Sequence, residues 1–242
     1  MKSIKSIESI KSTESIKSTE SIKSIESIKS IKSVESIESF VSEQFPSSYS
    51  KTIERRNKFS NFMCDIFSSD FDIKYNFVKV NGDGSCFFHA ILRFFGYLTW
   101  MDLPNKDQNQ FDIQEELLYV ETLSNLRENS TEYIRNFTGQ SDFILDQNVP
   151  EYQLICKYLS DYSEIRIIVI EYNSFKSDDS NKVYEFLPET GVFDDSVIMI
   201  NLSNHFTLIF PTSSNSKYDT KTIRKLAADN IITKSLLSNK LG

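Results

Sequence analysis

At 242 residues, 39% of them hydrophobic with 19 Phe and 11 Tyr, the chain can hold one domain with a sizeable core, alone or with tails. Its net charge of −7 argues against general nucleic-acid binding, which wants a basic face, and is compatible with a basic partner surface. Three cysteines (Cys64, Cys86 and Cys156) without framework spacing point to a reducing, cytoplasmic compartment rather than a secreted one.

From Lys2 to Phe40 the chain is thirteen triplets of the form Lys/Glu-Ser-Ile/Thr/Val, the last ending in Phe40. Period three fits neither a helix nor a strand. On a helix each triplet advances about 300°, so the isoleucines spiral round the cylinder and never form one buried face. Disorder is therefore the expectation for 1–40, and no chemistry is assigned to it. The tract is nearly neutral, with seven Lys against six Glu, so the acidic balance belongs to the remainder. Residues 41–51, Ser-rich with Pro46, read as a linker.

A folded unit is expected over 52–212. Phe59, Phe62, Met63 and Phe67 recur at helical spacing between Glu54 and Phe67, and Phe77–Val80 is a short extended entry into the next turn. Cys86 to Phe95 reads as a buried helix stopped by Gly96. A polar loop with Pro104 follows. A long helix is expected from Phe111 to Asn129, with Ile113, Leu117, Val120, Leu123 and Leu126 in register, and Tyr133–Phe137 as a further helical turn. Pro150 precedes a helix from Glu151 to about Leu159. The period then changes, and Ile165–Tyr172, Lys182–Leu187, Ser196–Leu202 and Phe206–Phe210 read as four strands. Residues 213–242 are a polar tail with a helix expected around Thr220–Leu237. Helices first and strands later make an α/β (α+β) arrangement, a sheet packed between helices. No run approaches the length of a membrane span, and the N-terminus lacks the apolar core of a signal peptide.

The stretch that carries chemistry is Asn81-Gly82-Asp83-Gly84-Ser85-Cys86-Phe87-Phe88-His89-Ala90. It sets a cysteine after a tight Gly-Asp-Gly turn and in front of an apolar helix. A thiol at a helix N-terminus meets unsatisfied N–H groups and the positive end of the dipole; both favour the thiolate and offer donors to an oxyanion. Gly82 and Gly84 admit backbone angles closed to other residues, so the chain can approach a substrate closely. A nucleophilic cysteine needs a base, and there are two histidines. His205 follows polar residues and opens the apolar run Phe206-Thr207-Leu208-Ile209-Phe210. His89 lies three residues past Cys86 on the same helix, facing the scaffold more than a cleft, and reads as structural. Cys64 and Cys156 each follow an apolar residue on a helix stripe and read as core or near-core thiols.

Asp83-Gly84-Ser85-Cys86-Phe87-Phe88-His89-Ala90 and Asn204-His205-Phe206 resemble the two signatures of the ovarian tumour (OTU) family of cysteine proteases, most of which remove ubiquitin from proteins. The resemblance covers roughly 52–212. It implies a papain-like fold with Cys86 on a helix N-terminus and His205 on a strand, and a deubiquitinating isopeptidase. In that reaction the Cys86 thiolate attacks the carbonyl of ubiquitin's C-terminal glycine, an acyl-enzyme forms, and His205 acts as base and then acid. It also implies ubiquitin or polyubiquitin as partner, with no nucleic acid, membrane, metal or cofactor.

Two departures from the family pattern stand out. The family usually carries Arg where this chain has His89, and many members place Asp or Asn where it has Thr207. The third catalytic group stays open on this reading. Asp83 either orients His205 or orders the oxyanion loop, and Asn204 is a second candidate orienter. Gly84 and Ser85 support the oxyanion turn. The alternatives are an OTU-like module that binds ubiquitin without cutting, and a cysteine hydrolase acting on a ubiquitin-like protein.

Overall fold

The computed structural model describes residues 34–44, 50–68, 72–80, 82–97, 113–142, 152–172, 181–202, 205–214 and 217–238. Residues 1–33, Pro46 and Asn204 lie outside them. A six-stranded sheet runs in the order β1-β2-β6-β5-β3-β4, with β1 Val34–Glu35, β2 Ile73–Val78, β3 Ile165–Tyr172, β4 Lys182–Phe186, β5 Asp195–Leu202 and β6 His205–Ser213. Among the described residues β3 and β5 pair parallel and the other ladders are antiparallel. β3 and β5 are near-continuous apolar runs, as strands covered on both faces must be. Alternate residues go to opposite layers. Ile167, Val169, Val197, Met199, Phe206 and Leu208 pack on one side with helices α3 (Cys86–Phe94), α4 (Ile113–Thr138) and α5 (Tyr152–Ser163). Ile168, Ile170, Ile198, Ile200 and Ile209 pack on the other with α1 (Ile37–Gln44), α2 (Ser50–Phe67) and α6 (Thr220–Ser238). The architecture is the expected mixed α/β sheet between helices.

The packed body reaches beyond the expected 52–212 at both ends. The last repeat units are part of it: Val34 and Glu35 pair with Val78 and Phe77. Ser36 caps α1, its hydroxyl accepting the Ser39 N–H at 3.3 Å. The thirteenth triplet ends in Phe rather than Ile, and that ring is the anchor. Phe40 is 0% exposed and stacks on Phe77 with centroids 4.4 Å apart. Phe40 and the adjoining Val41 bury on the sheet and dock the end of a repeat that has no buried face of its own. Phe40→Ala is expected to destabilise the fold by about 3–5 kcal/mol, measured by denaturant unfolding.

At the other end, the 213–242 segment is no solvated tail over its helix. α6 starts at Asp219, whose carboxylate accepts the Thr222 N–H at 2.7 Å, and buries Ala227, Ala228 and Ile231 on the sheet. Arg224 forks onto Asp195 of β5, its Nε donating to Oδ1 at 2.6 Å, and Arg166 of β3 pairs with Asp229. Removing one partner of the buried Arg224–Asp195 pair strands a charge, so that pair fixes the helix on the sheet.

Two face assignments need correction. Cys64 is exposed, because it lies about 100° round α2 from Met63 and so off the Phe59–Met63–Ile66–Phe67 stripe. On α4 the expected register fails at Leu117 and Val120, which are 61% and 54% exposed. The helix, continuous to Thr138, instead turns inward Tyr119, Ser130 and Ile134, with Leu123 and Leu126 partly covered. Two apolar stripes overlap in its sequence, and tertiary packing selects the second.

Candidate active site

β2 delivers the chain into the turn 82–85, and α3 begins at Cys86. Gly84 has φ +86°, a conformation in which a Cβ would be strained. The Asp83 side chain folds over the turn and its Oδ1 accepts the Ser85 N–H at 2.9 Å, an Asx-type turn. Ser85 then opens the helix, its carbonyl accepting the His89 N–H at 2.9 Å. Its hydroxyl does not cap; it accepts from the Arg127 guanidinium of α4, which also lies 5.7 Å above the Phe88 ring. α3 is buried along its length and ends in a Schellman closure, with the Tyr97 N–H on Leu92 O at 3.0 Å and the Gly96 N–H on Arg93 O at 3.1 Å. The Cys helix is thus a fixed rod pinned between the sheet and α4.

The second signature meets the first across 119 positions of sequence. β5 and β6 pair with Leu202 opposite His205 and Asn201 opposite Phe206, which sets His205 at the very start of β6. The Phe206 N–H points at the Cys86 sulfur at 3.4 Å, and the Phe206 ring meets Phe87 edge-on with centroids 5.1 Å apart. The half-buried His205 ring lies against the Gly turn: a Cβ added at Gly82 would stand 3.9 Å from its Cε1. Burial lowers the His205 pKa below the ordinary imidazole value. Cysteine, histidine and turn therefore lie together at the starting end of β6.

Asp83 does not turn to His205. Its two oxygens stand 3.0 and 3.1 Å from His89 Nε2, and Oδ1 also holds the Ser85 N–H. Burial raises the Asp83 carboxyl, but the Ser85 N–H and the His89 imidazole outweigh it and hold it below the usual carboxylate range. Thr207 is buried opposite Ile200 and brings no carboxylate to the histidine. Asn204 lies outside the described residues. The other two thiols differ sharply: Cys156 is fully buried and its pKa is pushed well up by desolvation, whereas Cys64 is exposed but far along α2. Among the described residues no three His, Cys, Asp or Glu side chains come together to hold a metal, and no helix is long and apolar enough to cross a membrane.

Sequence reading missed Tyr119 and Arg127, the α4 residues that touch His89 and Ser85. Neither sits in a motif. The one signal was His89 itself, a buried polar residue on an otherwise apolar helix, which requires partners.

No protein-family model matches the chain. No curated protein matches it either. Among solved structures, an ovarian tumour (OTU) domain in complex with ubiquitin is 19% identical over 70% of this chain and 90% of its own, at a TM-score of 0.35. The Hazara virus OTU bound to ubiquitin is 18% identical over 60% and 93%, at 0.32. The viral OTU domain protease from Qalyub virus is 14% identical over 60% and 97%, at 0.31.

Proposed function

We propose that the chain is an OTU-type cysteine isopeptidase that cleaves ubiquitin from its conjugates, with Cys86 as nucleophile and His205 as general base and acid. The observation that carries the reading is the meeting of Cys86 and the His205–Phe206 strand start, the Phe206 N–H on the sulfur and the imidazole against Gly82. His205 takes the thiol proton, the thiolate adds to the carbonyl of ubiquitin's C-terminal glycine, and the imidazolium protonates the leaving amine. Water then enters by the same base and releases the acyl group. The negative oxygen of the tetrahedral intermediate is met by backbone N–H groups at the start of α3, that of Cys86 first, because the Ser85 N–H is committed to Asp83. No step calls for a metal or an organic cofactor.

Asp83 acts on this reading as the strap of the oxyanion turn, not as the orienter of His205. Asp83→Ala is expected to lower kcat by roughly 10–100-fold without abolishing turnover, measured by steady-state kinetics on a ubiquitin C-terminal fluorogenic amide. The same substrate tests the function: the full chain is expected to hydrolyse it, and a folded chain that binds ubiquitin but leaves the amide intact overturns the isopeptidase reading. That result would favour the second reading, a ubiquitin-binding module, to which the buried Thr207 gives its one specific support.

A further inference from the structure

Helix α4 reaches the cysteine turn at two points. Tyr119 bonds His89, which bonds Asp83; eight residues on, Arg127 bonds Ser85. Eight residues are roughly 12 Å of helix, so one rod reaches both sides of Gly84, Ser85 directly and Asp83 through His89. His89 is 5% exposed, yet its partner Asp83 is 57% exposed, so the histidine links a surface carboxylate to an interior hydroxyl. The chemistry of the partners sets the tautomer. An ionised carboxylate only accepts, so Nε2 carries the proton that faces Asp83, and Nδ1 bonds the Tyr119 hydroxyl, which can donate or accept. The His89 and Tyr119 rings lie nearly parallel, 13° apart with centroids at 5.8 Å, which leaves the imidazole little freedom to turn. Both ring nitrogens are committed, so His89 has no lone pair or proton for a substrate.

We propose that His89 and Tyr119 are positioning residues that clamp the oxyanion turn through Asp83, with α4 as the fixed anchor. The inference rests on the isopeptidase reading for its effect on rate, but the clamp itself is a property of the turn. Freeing Asp83 releases the Ser85 N–H and lets the turn next to Cys86 swing. Substrate contacts outside the turn, and therefore KM, are untouched.

The test uses the full chain with His89→Leu, His89→Gln and Tyr119→Phe, read by kinetics on the ubiquitin fluorogenic amide and by amide hydrogen exchange at Ser85. Gln places an amide N–H where Nε2 stood, so it keeps the bond to Asp83. His89→Leu is expected to lower kcat by roughly 10–100-fold with KM held within about twofold, and to speed Ser85 exchange at least about tenfold. His89→Gln is expected to recover most of both, and Tyr119→Phe to fall between. Loss of kcat with Ser85 exchange unchanged overturns the clamp, as does His89→Gln behaving no better than His89→Leu. If His89→Leu does not fold, Tyr119→Phe against His89→Gln decides on the same two readouts. If the wild-type chain itself does not cleave the amide, the isopeptidase reading fails. Ser85 exchange then decides the clamp alone: faster in Tyr119→Phe supports it, and unchanged overturns it.

Discussion

Cys86→Ala is expected to lower turnover of a ubiquitin C-terminal amide by roughly 10⁴-fold or more while leaving the melting transition near that of the wild type. The size follows from what is removed. With no sulfur no acyl-enzyme forms, and the remaining groups accelerate only direct attack by water. The small cost in stability follows from the site: Cys86 is the first residue of α3 and sits at the edge of the core cluster, where loss of one sulfur leaves Phe87, Phe88 and Ile91 packed as before. Steady-state kinetics beside thermal unfolding checks both halves. Equal turnover in the variant would remove Cys86 from the mechanism.

His205→Ala is expected to lower kcat/KM by roughly 10³-fold, the scale of a lost general base. The same residue sets the acid side of the pH profile. Burial disfavours the imidazolium, so the folded-state pKa lies below 6.5 and the neutral base persists to lower pH than a free histidine would. Activity is therefore expected to hold as pH falls through 6.5 and to fail only below it. The sign for stability is fixed by the same shift. Below the ordinary imidazole range the unfolded chain binds the proton and the folded one resists it, so His205 takes away stability as pH drops. A pH–rate profile of kcat/KM, with unfolding measured across the same range, reads both.

The four strands from β3 to β6 were legible because their residues are: β3 and β5 are runs of Ile and Val with Met199 between turn signals, and α3 is framed by a Gly-Asp-Gly turn and Gly96, whereas β1 went unread and β2 was read only at its end. The cysteine turn and its partner strand were legible as local motifs with chemistry in them. What stayed hidden depends on contacts distant in sequence. Nothing in a period-three repeat announces that Ser36 caps a helix and its last ring stacks on Phe77, since the driving force is the pocket and not the repeat. The buried face of α4 was misread because Leu117 and Val120 match a helical period as well as Tyr119, Leu123 and Leu126 do. That error also hid the site's support, since Tyr119 is the residue that fixes His89. Asp83 carried two possible roles in the motif, and only the position of His89, six residues on and in the first turn of α3, separates them.

The nucleophile is tested by reaction of the purified chain with ubiquitin bearing a C-terminal thiol-reactive warhead, read by mass. Because Cys64 is exposed and Cys156 is buried, the controls are Cys86→Ala and Cys64→Ala. One ubiquitin is expected to add per chain, retained in Cys64→Ala and absent in Cys86→Ala. An adduct that persists in Cys86→Ala, or none at all on the folded wild-type chain, would contradict it.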